Sequence, residues 1–308
     1  MIFKYNQIIF AIISLILSNG FCEIIEKTSE SPVPVVIWHG MGDTCCNPLS
    51  MGRIKQLIEN NIPGVYVKSL EIGGNIVNDL RSGFFIHPDK QLADVCEQLN
   101  ADENLQNGFH AIGFSQGAQF LRGIAQKCIG PQMKTLISVG GQHQGVYGLP
   151  NCPSLSSKTC DTIRKLLSKT AYAKWVQKLL VQATYWHDPL KEDEYKAGST
   201  FIGEINNENL LNSTYALNLQ RLEKFVLVKF MNDSMVEPKE SSWFEFYTPG
   251  QSQHIQPLKE SPLYKEDRLG LKRMDEEGKL VFLEVEGDHL RFKDTWFVEN
   301  IIPYWKKD

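Results

Sequence analysis

The sequence has no CxxC pair and no grouping of His, Cys and Asp at zinc-ligand spacing, so no metal site is expected from it. It has no basic excess either: 32 Lys and Arg stand against 36 Asp and Glu, a net charge of −4. That balance supplies no general field to hold nucleic acid or anionic lipid. No internal repeat, low-complexity tract or long linker divides the chain. Its one run of signal-peptide or membrane character, Ile8–Leu17, is ten residues long. A helix that spans a bilayer needs ~20, so no integral membrane segment is expected. What remains is ordinary globular material, 42% hydrophobic and 22% charged, enough for a sizeable core. The 308 residues exceed the ~150 of an average domain but suit a single large α/β unit.

Lys4 precedes Ile8–Leu17, and Ser18 and Gly20 follow at an A-x-A-like spacing. Residues 1–22 therefore read as a secretory signal peptide. Cleavage after Gly20 would leave all seven cysteines, and cleavage after Cys22 would leave six. The even count suits an oxidising compartment and slightly favours the second. Removing 22 of 308 residues leaves 286, read as one domain over 23–308. Cys96 and Cys128 lie either side of a glycine-flanked serine, and Cys152 and Cys160 are close enough to staple a loop. Cys45 and Cys46 are neighbours, with Cα atoms ~3.8 Å apart. Disulfides usually span roughly 4.4–6.8 Å, so direct pairing of these two reads as strained, and spacing alone selects no connectivity. Asn212-Ser213-Thr214 and Asn232-Asp233-Ser234 are N-glycosylation sequons.

Short apolar, β-branched runs recur along the chain: Val33–Trp38, Val65–Val67, Phe109–Ile112, Thr135–Val139, Phe225–Met231 and Leu280–Val285. They lack clean alternation, as strands buried on both faces do. Helical spacing lies between them, at Ile54, Leu57 and Ile58, over Lys90 to Leu99, and over Ala118 to Cys128. The fold class is α/β with a mostly parallel sheet. Residues ~145–222 break the rhythm. There Ile163, Leu166, Leu167, Val176, Leu179, Leu180 and Ala183 recur at helical spacing, which reads as a helical insertion between two strands.

Gly113-Phe114-Ser115-Gln116-Gly117 follows a strand and opens a helix, the context of a nucleophile elbow. A sharp strand-to-helix turn exposes the serine hydroxyl, and side chains at the two flanking positions would collide. Such a serine needs a base, and the base needs an acid to orient it. Of the histidines after Ser115, His143 comes too early, and His187 and His254 follow no strong strand. His289 lies just past the last strand, in Glu286-Gly287-Asp288-His289. Asp233 directly follows Phe225–Met231, whereas Asp188, Asp193 and Asp267 follow nothing strand-like, and Asp288 is too close to the base to face it. Ser115, Asp233 and His289 are therefore the expected triad. An oxyanion needs two fixed N–H donors. The backbone of Gln116 should give one. Met41, in the His39-Gly40-Met41-Gly42 loop after the first strand, should give the other.

Several longer stretches carry a resemblance. They are His39-Gly40-Met41-Gly42-Asp43-Thr44-Cys45-Cys46-Asn47-Pro48, the elbow with Cys128 downstream, Gly140-Gly141-Gln142-His143-Gln144-Gly145-Val146, Trp186-His187-Asp188-Pro189 and Glu286-Gly287-Asp288-His289. Together they resemble the palmitoyl-protein thioesterase family, in particular its lysosomal type 1 branch, over almost the whole mature chain. The resemblance implies an α/β-hydrolase without a cofactor that removes long fatty acyl groups from cysteines of S-acylated proteins during lysosomal degradation. It implies the same three residues as triad, and disulfides Cys45–Cys46, Cys96–Cys128 and Cys152–Cys160. It further implies a monomer that reaches the lysosome through the secretory pathway or is secreted. Thr44 and Ala118 depart from the family pattern, which commonly has serine and glycine there. Two other readings use the same sequence: a secreted lipase or carboxylesterase acting on oxygen esters, and a hydrolase fold without catalysis that serves in binding.

Overall fold

Residue by residue, the sheet explains the apolar runs. In the computed structural model, residues 31–148, 162 and 167–306 are described. The expected signal peptide, Cys152, Cys160, Ile163 and Leu166 lie outside them. The strands are β1 (Val35–Trp38), β2 (Val67–Ser69), β3 (Phe109–Phe114), β4 (Met133–Val139), β5 (Lys224–Phe230), β6 (Phe246–Tyr247), β7 (Ile255–Gln256) and β8 (Leu280–Val285). Six form one sheet in the order β2-β1-β3-β4-β5-β8, and every neighbouring pair is parallel. Every residue of β1 and β3 is buried. Successive residues alternate between two apolar layers. Val36, Trp38, Ala111, Leu136, Phe225 and Leu227 point into one, and Val35, Ile37, Ile112, Ile137, Val226 and Val228 into the other. Both faces being covered, the strands read as continuous apolar runs.

The helices Pro88–Ala101 and Gln116–Lys127 close the first layer with Leu92, Val95, Leu99, Phe120, Leu121 and Ile124. The helices Met51–Asn61 and Asp294–Asn300 close the second with Ile54, Ile58 and Phe297. Order and connection together place a switch point between β1 and β3: the chain leaves β1 toward β2 on one side and leaves β3 toward β4 on the other. Loops diverge at such a point and open a crevice at the carboxyl ends of the strands.

Between β4 and β5 lie the short helices Lys174–Leu179, Val181–Thr184, Glu192–Gly198, Ile202–Ile205 and Ser213–Leu219, and residues 167–170 are helical as well. Leu167, Val176, Leu180 and Ala183 are buried there, whereas Leu179 is 51% exposed and Trp175 56%. Leu179 was expected with the apolar face and instead points to solvent. Two further elements differ from expectation. The segment around His254 carries the small antiparallel hairpin of β6 and β7, whose two-residue strands are too short to leave a periodic pattern. Helix Ile76–Phe85 buries Asp79, Ser82 and Gly83 while leaving Ile76, Val77, Leu80 and Phe85 in water. Its polarity is inverted, so hydrophobic periodicity cannot place it.

Cys45 and Cys46 are joined across a Cα separation of 3.8 Å, and Cys96 is joined to Cys128. The first pair is the one that the family resemblance implies, at a Cα separation below the usual range, and its turn is held from outside: the Cys45 N–H donates to Asp79 at 2.8 Å and the Ser69 hydroxyl donates to the Cys45 carbonyl at 2.8 Å. The second bridge closes a loop of sequence separation 32 and ties the helix Pro88–Ala101 to the end of Gln116–Lys127. Replacing Cys96 and Cys128 together by serine is expected to lower the unfolding free energy by about 3–4 kcal/mol, the loop-closure entropy of a ring that size. Denaturant unfolding of both forms measures it.

Candidate active site

At the carboxyl end of β3 the chain turns into the helix Gln116–Lys127 through Ser115, whose φ of 52° and ψ of −119° lie outside the regions side-chain-bearing residues favour. A residue held there costs of order 1–3 kcal/mol. The neighbours hold it. The Ser115 N–H donates to the Val139 carbonyl at 2.8 Å, extending the β3–β4 ladder, and its carbonyl accepts from Ala118 at 3.0 Å. A Cβ on Gly113 would come within 2.5 Å of the Ala118 Cα, and one on Gly117 within 2.4 Å of the His39 carbonyl oxygen. These are the collisions expected of an elbow.

The next two side chains meet because β5 and β8 are parallel neighbours that end together. Phe230 pairs with Val285, and beyond the strands Met231 N–H donates to Val285 and Asn232 N–H to Gly287. The loops after the strands are thereby zipped side by side. His289 Nδ1 donates to Asp233 Oδ2 at 2.7 Å, and the Asp233 side chain is wholly buried. Asp233 Oδ1 accepts from the N–H groups of Met235 and Val236, each at 2.8 Å. The carboxylate is thus fixed, and it fixes the imidazole with Nε2 turned away. Asp288 points elsewhere, accepting from the N–H and hydroxyl of Ser234. The His289 ring also packs on Gly140, where an added Cβ would lie 3.1 Å from Cε1. Gly140 directly follows Val139, the residue that anchors Ser115. Elbow and histidine therefore share one support.

Gly40, after β1, reaches the same place: a Cβ there would lie 3.2 Å from the Ser115 Cβ. Met41 and the Gln116 side chain converge on Gly83 of the helix Ile76–Phe85. Gln116 Nε2 donates to the Gly83 carbonyl at 3.1 Å and to the Tyr185 hydroxyl at 3.2 Å. Gln182 Nε2 donates to the Met41 sulfur at 2.8 Å. The segment between β4 and β5 thus borders the elbow through Gln182 and Tyr185. The loop of Gly40 and Met41 is thereby pinned. His39, just before it, lies 3.0 Å from the buried carboxylate of Asp79. Sequence reasoning missed that pair, because nothing local links residues 39 and 79.

Arg122, on the elbow helix, is wholly buried and has no carboxylate partner among the described residues. All five N–H groups are nevertheless used. They donate to His143 Nδ1, the His143 carbonyl, Gln126 Oε1, the Ile205 carbonyl and Asn206 Oδ1, at 2.8–3.2 Å. Burial pulls its pKa down to about 9, still well above neutrality. The guanidinium lies 5.1 Å from the Phe244 ring centroid. His143 stacks on that same ring at 4.7 Å. With Nδ1 accepting from Arg122, Nε2 carries the proton and donates to the Ser138 hydroxyl at 2.7 Å. Burial, then the Arg122 charge, hold the His143 pKa well below the usual 6.5. His187 is stacked between Tyr195 and Phe246, and His254 is exposed beside β7. Among the described residues none of these three has an aspartate on a ring nitrogen. Among the described residues one group, Cys45, Cys46 and Glu71, brings metal-type ligand atoms within 4.8 Å of one another. Its sulfurs are spent on each other.

A family model described as palmitoyl protein thioesterase matches residues 34–289. The chain belongs to that family. It is 51% identical over 276 residues to palmitoyl-protein thioesterase 1 of Caenorhabditis elegans, covering 90% of this chain and 92% of that one. It is 37% identical to palmitoyl-protein thioesterase 3 of Dictyostelium discoideum, covering 88% and 91%. The matched span starts one residue before β1 and ends on His289, so it contains all eight strands and stops short of the helix Asp294–Asn300. The fold is that of an α/β-hydrolase.

Arg122→Met is expected to lower stability by about 3 kcal/mol or more, because His143 Nδ1, Gln126 Oε1 and Asn206 Oδ1 would each lose a donor at ~1–3 kcal/mol per orphaned group. Equilibrium unfolding in urea reads this directly.

Proposed function

We propose that this chain is a serine hydrolase that cleaves long-chain fatty acyl groups, palmitoyl above all, from cysteine thiols of S-acylated proteins. The observation that carries the reading is the Asp233–His289 hydrogen bond, with the His289 ring packed on Gly140, the residue after the Val139 that anchors a strained, glycine-flanked serine. Ser115 attacks the thioester carbonyl while His289 Nε2 takes its proton. Asp233, bound to Nδ1, holds the tautomer that leaves Nε2 free and stabilises the imidazolium that forms. The backbone N–H groups of Met41 and Gln116 receive the oxyanion. The carbon–sulfur bond then breaks. A cysteine thiol of ordinary pKa, ~8.5, is a good leaving group, and the proton on His289 goes to it. Water deprotonated by His289 attacks the acyl-serine, and the fatty acid departs as Ser115 regains its proton.

Two features favour a long apolar substrate. The insertion residues Gln182 and Tyr185 adjoin the Met41 side chain. Beside them the helix Ile76–Phe85 leaves four large apolar side chains in water, an arrangement that marks interaction surfaces more often than plain exterior. Each methylene covered adds ~0.8 kcal/mol. A lysosomal thioesterase of Rattus norvegicus, 27% identical to this chain, supports a lysosomal setting, with residues 1–22 as the signal peptide and 23–308 as the mature hydrolase. Asn212 and Asn232 are both exposed, as glycan acceptors must be. The Asp233 side chain turns inward, so a glycan on Asn232 would leave the site open. The chain is read as acting as a monomer.

Hydrolysis of a palmitoylated cysteine peptide, compared with the equivalent serine ester, tests the reading. The thioester should be the better substrate. Ser115→Ala should remove the activity, and Asp233→Asn should cost about 10⁴ in kcat through the wrong tautomer. Preference for the oxygen ester would make the chain a carboxylesterase. Failure of Ser115 to label with a fluorophosphonate would make it a binding protein.

A further inference from the structure

His39 follows β1 directly and is 5% exposed, and Asp79 is completely buried. Both ring nitrogens of His39 are engaged: Nδ1 lies 2.9 Å from the Gly40 carbonyl oxygen and Nε2 lies 3.0 Å from Asp79 Oδ1. A carbonyl oxygen can only accept, so Nδ1 carries a proton. Among the described residues the other partners of the Asp79 carboxylate are backbone N–H groups, Ile72 on Oδ1 at 2.9 Å and Cys45 on Oδ2 at 2.8 Å. The carboxylate is an acceptor on every side, so Nε2 also donates. A neutral imidazole has one N–H and only the imidazolium has two. Buried charges are tolerated when paired and hydrogen-bonded, and this pair meets both conditions.

The pair also has a mechanical position. Asp79 gathers the end of β1 through His39, the turn after β2 through Ile72, and the vicinal disulfide through Cys45. Between His39 and Cys45 lies the loop of Gly40 and Met41. Gly40 rests against Ser115, and the Met41 Cα rests against Gly83, one turn along Asp79's own helix. We propose that His39 is a cationic positioning residue whose ion pair with Asp79 fixes the Gly40–Met41 loop for oxyanion stabilisation, so that this half of the site is assembled by acid. The proposal rests on the reading of Met41 as an oxyanion donor.

The electrostatics agree in sign. Burial opposes the charge on His39. The Asp79 hydrogen bond and negative charge, the Gly40 carbonyl and the charge of Asp43 outweigh it, leaving the pKa above the ordinary 6.5. Among the described residues the charged groups acting on the ring are Asp43 from its own loop and Asp79 from the helix Ile76–Phe85. The elbow helix approaches the His39 backbone carbonyl with Gly117, and the Cys45–Cys46 disulfide does not titrate. A histidine raised on folding stabilises fully below its unfolded pKa, and the contribution is lost as pH rises through the folded value. The two histidines therefore have opposite needs. His289 must shed its proton to act as base, and His39 must keep its own to hold the loop.

Long-range ¹H–¹⁵N NMR of the labelled full chain tests this. At pH 5 both ring nitrogens of His39 should show the shifts of a protonated imidazolium, with a midpoint above 6.5. Asp79→Asn should lower that midpoint by about one pH unit or more. It should move the alkaline limb of kcat on a palmitoyl-cysteine peptide down by the same amount, with KM little changed. Affinity for a trifluoromethyl ketone, which forms an oxyanion on Ser115, should follow the same titration. A single ring N–H at pH 5, a midpoint below 6.5, or an alkaline limb unmoved in a folded Asp79→Asn variant would each overturn the proposal. If that variant does not fold, the wild-type titration decides alone. Ser115→Ala separates the two readings: it should abolish hydrolysis while leaving the His39 titration intact.

Discussion

The helix Gln116–Lys127 begins so close to β1 that no side chain fits between them. A Cβ on Gly117 would sit inside contact distance of the carbonyl oxygens of both Trp38 and His39. This approach forces the turn at Ser115 into a sparsely populated conformation. It also forces the loop after β1 to pass over the serine. The elbow and the loop that would complete an oxyanion site are thus one packing problem with one solution. The parallel register does the rest. β1, β3, β4, β5 and β8 all end at the same edge, so residues far apart in sequence arrive within hydrogen-bond reach without long side chains.

Two buried charged groups hold that edge from either side, and they do it differently. Arg122 is surrounded by neutral acceptors, all matched to the guanidinium fork. It fastens the Gly140–His143 turn to the helices inserted between β4 and β5. His39 is matched to a carboxylate and fastens the loop after β1 to the helix Ile76–Phe85. A charge in a dry interior is costly unless its partners are complete, so both sites are all-or-none. The turn supports the His289 ring through Gly140, and the loop supports Met41. Rigidity is placed where a developing oxyanion and a proton transfer need fixed partners.

The sheet was legible because strands buried on both faces leave continuous β-branched runs, and each of the six runs coincides with a strand or overlaps it. Val65–Val67 overlaps β2 by one residue, since a short edge strand has little burial to mark its limits. The helix Ile76–Phe85 was not legible: its apolar residues face water and its buried face is Asp79, Ser82 and Gly83. At the candidate site, Ser115, Asp233 and His289 could be selected from chain order and strand ends alone. Leu179 shows the limit of periodicity, which reports a face but not what lies opposite it.

By itself the sequence determined the things that short-range physics controls: where strands run, where a glycine-flanked turn must be sharp, and which loops leave the same end of the sheet. Tertiary structure decided pairing and protonation. His39 and Asp79 are 40 residues apart, and Asp233 and His289 are 56 apart. Whether such groups meet, and whether an imidazole carries one proton or two, depends on the burial and donors that the folded chain assembles around them. Desolvation and hydrogen bonding act through space, and no local pattern of residues encodes their sum.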